Sequence, residues 1–305
     1  MATCFLCGTE MVPRFVARDH LRPSSLTEYR VDWCEPCGFG RVDGSFRGAD
    51  VAEFYKADDA LGLVRASSAS MRMLDRLRVH VARWADRGVA LSTAEIEPPQ
   101  PVPTLCDLGC GSGQAMIKFK KAGYDVLGIE PDPAAGALAA AIGPVYAGTA
   151  EELPEELTGK DFDVVPLSHV LELCTDPVAA LRNVKRLLSP QGTAVIEVPN
   201  NAAEGFQMYG PGWFFADIPR HLQFFTEGSL RKAMRLVGLL VTKVMYTGYT
   251  RQFSNEWLAA QRAICTHAGL DEALDGNILQ LLATTAFALP SRKYDSLRIH
   301  AIHLN

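Results

Sequence analysis

Two sets of residues in this 305-residue chain have the types and spacing to do chemistry. The first is the run Asp107-Leu108-Gly109-Cys110-Gly111-Ser112-Gly113, followed by Gly128-Ile129-Glu130-Pro131-Asp132. Thr104-Leu105-Cys106 reads as a buried strand before this turn, and residues 114–121 read as the helix after it. Glycine is needed where the backbone turns sharply and must approach a ligand with no Cβ in the way. The helix starts near Gly113, so its unpaired N–H groups can meet an anionic ligand group. Asp107, at the strand end, can draw in a cationic one. A second strand over 125–129 ends at Glu130, and an acid at that tip is placed to accept both hydroxyls of a ribose. Together these residues predict a bound nucleoside cofactor.

The second set is Cys4-x-x-Cys7-Gly8 and Cys34-x-x-Cys37-Gly38. Each pair puts two thiolates on one side of a tight turn, and the glycine after it lets the turn's N–H groups point at sulfur. Two such turns predict tetrahedral ligation of zinc by Cys4, Cys7, Cys34 and Cys37. Protein would fill all four places, which predicts a structural ion rather than a catalytic one. Metal affinity would then supply much of the folding of this small module, on the order of 10–16 kcal/mol in zinc-finger peptides. Cys106, Cys110, Cys174 and Cys265 stand in apolar contexts and read as buried small hydrophobes.

The glycine spacing selects the cofactor. In the dinucleotide pattern G-x-G-x-x-G, the last position falls on Gln114 counted from Gly109, and on Met116 counted from Gly111. The pattern present is G-x-G-x-G preceded by Asp-Leu, which points to S-adenosylmethionine with its carboxylate at the helix start. On these residues, about 103–246 resembles the class I S-adenosylmethionine-dependent methyltransferases. The resemblance implies an α/β fold with a Rossmann-like seven-stranded sheet. It implies cofactor contacts at Asp107, Gly109, Cys110, Gly111, Gly113, Glu130, Pro131 and Ser168. It also implies adenine contacts after the third strand, at the Ala150 backbone N–H and the Glu151 carboxylate. The acidic run Glu151, Glu152, Glu155 and Glu156 would equally make Glu151 a solvated helix start.

Composition narrows the partners. A 48% hydrophobic fraction supports a full core, and the apolar runs are too short to span a membrane. The first residues hold cysteines rather than a basic segment and an apolar stretch, so no signal peptide and a cytoplasmic location are expected. The net charge is −5, and residues 1–50 carry six Arg, no Lys and seven acids. A phosphate-binding surface needs clustered positive charge, so a small-molecule substrate is expected rather than nucleic acid.

The elements that must position these residues follow from periodicity. Residues 1–50 read as the zinc-binding module, 51–100 as a helical connector and linker, and 101–305 as the S-adenosylmethionine-binding domain. Helices are expected over 49–55 and 71–87. The second has Met73, Leu74, Leu77, Val81 and Trp84 on one face, and Gly88 at its end. Residues 98–103 form a proline-rich linker. Strands are expected over 162–167, 193–198 and 239–246, with helices over 176–188 and 227–237 and a turn at 189–192. Alternation over 296–304 predicts a seventh, antiparallel strand, with a helical insertion at about 254–287.

Strand ends four and five should face the methyl acceptor. Strand four ends in Ser168-His169, and strand five leads into 206–225, a loop with seven aromatic residues and Arg220-His221. Tyr209, Trp213 and Phe214 are expected to wall the acceptor. His221 is the first choice of base, because imidazole titrates near neutral pH, and His169 is the second. Alternatively, His221 bonds a backbone carbonyl and orders the loop, and His169 packs beside strand four. Arg220 could pair with an acidic substrate or with Asp217.

The whole plan is also similar to small-molecule methyltransferases with an N-terminal zinc module, such as the C-methyltransferases of deoxysugar biosynthesis. The shared features are the Cys-x-x-Cys pair, the Asp-Leu-Gly-x-Gly-x-Gly loop, and a His before a Phe-rich Ser-Leu segment, here His221 to Leu230. That resemblance implies His221 as the base. The Tyr and Glu that accompany the base in that subgroup are Ile218 and Arg220 here. The reading is therefore C- or O-methylation of a biosynthetic intermediate. An RNA methyltransferase with a zinc module, and a non-catalytic S-adenosylmethionine-binding partner protein, are the alternatives.

Overall fold

Alternating side chains over 12–18 and 28–34 pair as the antiparallel strands β1 (Val12–Arg18) and β2 (Glu28–Cys34), with Ala17 opposite Tyr29. The second cysteine turn then leads into β3 (Phe39–Val42), with Cys34 opposite Phe39. The structure is a computed structural model that describes residues 2–22, 25–56, 73–86, 96, 101–267, 269 and 274–304. Helix α1 (Gly48–Lys56) follows the small sheet, close to the helix expected over 49–55.

Helix α2 (Met73–Ala85) lies where an amphipathic helix was expected, but its buried face differs. Leu77 and Trp84 are exposed, while Ala82 and Ala85 are buried. Small side chains allow closer packing than the large ones, and Arg78 fixes the helix by donating to the Phe253 carbonyl and the Asn255 side chain. The ends of the expected helix at 71–72 and 87, its closing Gly88 and linker residues 98–100 lie outside the described residues.

From residue 104, strands and helices alternate: β4 (Thr104–Leu108), α3 (Gln114–Lys121), β5 (Asp125–Ile129), α4 (Pro133–Ala139), β6 (Val145–Tyr146), β7 (Phe162–Ser168), α5 (Pro177–Leu187) and β8 (Leu188–Pro199). The expected turn at 189–192 is instead part of β8. Phe162 pairs with Leu188 and Val164 with Thr193, so Ser189-Pro190-Gln191-Gly192 bulges opposite Asp163 and the strand continues past it. Helices α4 and α5 start as their sequences suggest, with Asp132 and Asp176 accepting N–H groups of the first turn and a proline next in line.

After β8 come α6 (Glu204–Tyr209), two short 3-10 turns and β9 (Gln223–Phe224). The aromatic loop is thus largely structured. Its last residues extend the N-terminal sheet, with Phe224 opposite Gly40, giving the order β1-β2-β3-β9. Then come α7 (Glu227–Leu236), β10 (Leu239–Thr247), α8 (Asn255–His267), α9 (Leu274–Thr285), α10 (Pro290–Lys293) and β11 (Ser296–His303). Helices α8 and α9 fall in the expected insertion.

The large sheet has the order β10-β11-β8-β7-β4-β5-β6. Strand β4 runs parallel to both β5 and β7, β5 to β6, and β7 to β8. This is the mostly parallel, seven-stranded Rossmann-like α/β architecture, with β11 inserted between β8 and β10. The expected alternation of β11 is replaced by burial on both faces, which also covers Arg298 and His300. Leu105, Val126, Val164 and Val195 form the core with Met116 and Phe119.

The chain divides into two compact units. One comprises Met1–Gly88, Pro199–Ser229 and Tyr246–Leu297; the other comprises Val89–Val198, Leu230–Met245 and Arg298–Asn305. Among the described residues, no helix is long and apolar enough to cross a membrane.

Candidate active site

In the second unit, the loop after β4 carries Gly109, Gly111 and Gly113, all in the left-handed region. At Gly109 a Cβ would lie 2.4 Å from a Val170 methyl, so the turn tolerates no side chain. At Gly111 nothing lies within 4 Å of that position, and the loop opens there to space. Gly113 caps α3 without a side-chain bond, which leaves the first N–H groups of the helix for a ligand.

Glu130 ends β5 as expected. One of its oxygens accepts the Gly111 N–H at 2.8 Å and the other the Asp132 N–H at 2.9 Å. An ionised carboxylate has about four acceptor sites, so each oxygen can still take a hydroxyl. Pro131 is exposed beside it. Asp107 is only 3% exposed and has no hydrogen-bond donor among the described residues. Burial, and then the nearby Glu130 charge, pushes its carboxyl up to about 7. Two acids at adjacent strand tips would be relieved by a ligand with a positive charge and hydroxyls.

Cys110 turns its sulfur toward β5: a Cβ on Gly128 would lie 2.5 Å from it. Burial pushes its thiol up to about 12, so only its backbone suits a ligand. Cys106, Cys174 and Cys265 are likewise buried. Ala150 is buried, and Asn183 donates to its carbonyl at 2.9 Å. Glu151 does not start an α-helix. Its Oε1 accepts the Thr175 hydroxyl and the Asp176 N–H, both at 2.6 Å, which ties it to the start of α5.

Ser168 closes β7, and His169 follows in the left-handed region at φ 54°. The His169 N–H donates to the Glu197 carbonyl, its Nδ1 lies 3.0 Å from the buried Glu172 carboxylate, and its Nε2 lies 4.0 Å from Glu197. Glu197 also accepts two N–H groups of Arg298, at 2.7 and 3.0 Å. Sequence reasoning missed Glu172, Glu197 and Arg298. The available signal was a lone acid inside the apolar run of β8.

In the first unit, His221 Nδ1 lies 2.9 Å from the Phe215 carbonyl. A carbonyl only accepts, so Nδ1 carries a proton toward it, and Nε2 lies 4.0 Å from Asp217. This is the contact expected of a His221 that bonds a backbone carbonyl and orders the loop. Arg220 is buried, with Nε 2.8 Å from Asp217 and Nη1 2.9 Å from Asp19. Burial alone would raise the Asp217 carboxyl, but His221 and Arg220 hold it below the usual carboxylate range. Trp213 is 1% exposed and packs edge-on to Phe206 and Phe215. Tyr209 is buried too, and burial raises its phenol. Phe214 packs against Trp257 at a tilt of 44°, with ring centres 4.2 Å apart. Asp19 and His20, which belong to this cluster, carry no sequence signal because they lie in an irregular segment.

In the same unit, Cys4, Cys7, Cys34 and Cys37 bring their sulfurs within 4.8 Å of one another, with Cys7 and Cys34 3.6 Å apart. A tetrahedral ion with ligands at about 2.3 Å needs sulfurs roughly 3.8 Å apart, so the set could hold one. Gly8 and Gly38 donate to the Cys4 and Cys34 carbonyls in matching turns. Burial pushes the Cys34 thiol up to about 12, and contact with Thr9 brings Cys7 down to about 6.

A family model described as a methyltransferase domain matches residues 79–244. A ubiquinone biosynthesis O-methyltransferase of Azorhizobium caulinodans is 27% identical over 153 residues, which is 46% of this chain and 60% of that protein. One from Rhodopseudomonas palustris is 26% identical over 219 residues, 67% of this chain and 85% of that protein. Among solved structures, a putative sarcosine dimethylglycine methyltransferase from Galdieria sulphuraria is 15% identical, with a TM-score of 0.47 over 74% of this chain and 97% of that one.

Proposed function

This chain belongs to the methyltransferase domain family, as a class I S-adenosylmethionine-dependent enzyme, and we propose that its acceptor is a small-molecule biosynthetic intermediate methylated on oxygen or carbon. The observation that supports the cofactor pocket is the buried Asp107 carboxyl, with no donor among the described residues, beside Glu130 and the open Gly111 turn. In this reading Asp107 meets the ligand's ammonium, Glu130 both ribose hydroxyls, and the α3 start the carboxylate. Gly109, Cys110, Gly113, Pro131 and Ser168 shape the pocket through backbone. The Ala150 N–H meets adenine, and Glu151 keeps one oxygen for the exocyclic amine.

When bound, S-adenosylmethionine supplies a methyl group on a sulfonium, attacked in line by the acceptor. A hydroxyl or carbon acid must lose a proton as it attacks, and a positioned imidazole is worth roughly 10²–10⁴-fold. His221 is our first candidate base and His169 our second. Tyr209 and Trp213 support the aromatic core behind the acceptor region, and Phe214 contacts the acceptor. Arg220 orders Asp217 rather than binding an acidic substrate. Cys4, Cys7, Cys34 and Cys37 hold a structural zinc. Residues 1–50 would form the zinc-binding module, whose sheet takes its last strand from 223–224, with 51–100 as the connector and 101–305 as the methyltransferase domain, in a cytoplasmic protein.

Calorimetric titration of the full chain with S-adenosylhomocysteine and with NAD tests the reading. Heat with the first and none with the second is expected. The reverse would overturn it.

A further inference from the structure

Within the first unit lies a cavity of about 120 Å³. Three of its lining groups are polar, His20, Asp217 and His221, and the others, among them Phe214, Phe215 and Ile264, are apolar. We infer that this cavity is a subsite for a neutral, hydroxyl-bearing ring of the acceptor, and that His20 is one of the residues that contacts it. The inference rests on the small-molecule reading above and specifies its substrate class.

Size is the first argument. An apolar cavity of about 150 Å³ takes a benzene ring, whereas whole-ligand pockets run from about 300 Å³ upward. This cavity therefore suits one ring of a larger molecule.

Charge is the second argument. The buried Arg220, paired with the lining residue Asp217, is committed to Asp217 and Asp19. An anionic acceptor would meet the Asp217 carboxylate, whose charge Arg220 already engages. His20 Nε2 lies 3.7 Å from one Asp217 oxygen, and His221 Nε2 lies 4.0 Å from the other. Two imidazoles thus bracket one carboxylate. A hydroxyl can donate to the carboxylate or to a neutral imidazole and accept from an imidazole N–H. Burial brings His20 down to about 4; Asp217 and Asp19 act against that shift, and Arg220 and His267 act with it. At neutral pH His20 is therefore an uncharged partner, suited to a neutral ligand.

The backbone is the third argument. Asp217 is held at φ 35°, in the left-handed region that few non-glycine residues adopt. The Arg220 bridge holds its carboxylate between the two imidazoles.

The test is binding of ring-sized probes to the full chain, read by saturation-transfer NMR. Catechol, a neutral diol, should bind with roughly millimolar affinity, and benzoate at least tenfold more weakly. His20→Ala should weaken catechol about tenfold, and His20→Gln should restore binding to within about threefold. Ala260→Leu narrows the cavity without touching its polar groups and should also weaken catechol, which keeps the test open if His20→Ala fails to fold. No catechol binding to the wild-type chain, benzoate binding as tight as catechol, or unchanged binding in folded His20→Ala would each overturn the inference. S-adenosylmethionine affinity is measured on the same samples: its loss in the wild type would break the methyltransferase reading alone, while its retention with catechol lost would break only the subsite.

Discussion

The Gly-loop region of the second unit and the Arg220–His221 region of the first are built by different means, and on the proposed reading each would bind its ligand differently. In the former, the groups proposed to face the cofactor come from strand ends and backbone turns within one short stretch, from Asp107 to Glu130. In the latter, side chains are gathered from distant positions: Arg220 bridges to Asp19 across 201 residues of sequence. The contrast explains what each can do. A backbone cradle recognises a constant ligand, and its geometry tolerates few changes. A side-chain cluster can be rebuilt one residue at a time.

The comparison can be broken experimentally, starting with its largest effect. Cys34→Ser should cost the first unit several kcal/mol, on the scale of structural zinc sites, and reduce bound zinc from about one per chain to near zero. Elemental analysis and thermal unfolding check this, and an unchanged melting curve would remove the structural role. His221→Ala should slow turnover by roughly 10²–10⁴-fold, with S-adenosylmethionine affinity within about twofold of wild type. Weakened cofactor binding would show that the two regions are not separable.

Glu130→Ala should act in the opposite sense. It removes two charge-assisted hydrogen bonds, together about 3 kcal/mol, and should weaken the cofactor roughly 100-fold in a titration. The smallest effect is in pH. An unfolded aspartate releases its proton near 3.8, whereas folded Asp107 keeps it up to about 7. Across that window this group makes the ligand-free fold less stable as pH rises. A cationic ligand prefers the ionised form, so affinity should fall by up to tenfold per unit as pH drops below about 7. Asp107→Asn should flatten that slope, and a slope that persists would point to another group.

The sequence carried most of the second unit. Residues 114–121 and 125–129 are helix and strand to the residue, because each signal is local: glycine spacing, apolar runs and proline starts. The cysteine cluster was legible for the same reason. The α2 stripe was misread because large apolar side chains weigh more in a periodicity count than Ala82 and Ala85, which are the buried ones. The 189–192 turn was misread because a bulge and a turn use the same residues. His20 and Glu172 were invisible, since their roles depend on partners that no local pattern places.

Strand β9 has one more consequence. Two residues near position 223 complete a sheet whose other strands lie before position 43, and Phe225 rests on Phe39 with ring centres 5.3 Å apart. Cutting off the first 45 residues to make a minimal catalytic fragment would therefore strip a strand of its neighbour and leave buried phenylalanines bare to water. Such a fragment should precipitate. Solubility would return only with the missing amino-terminal piece supplied in trans.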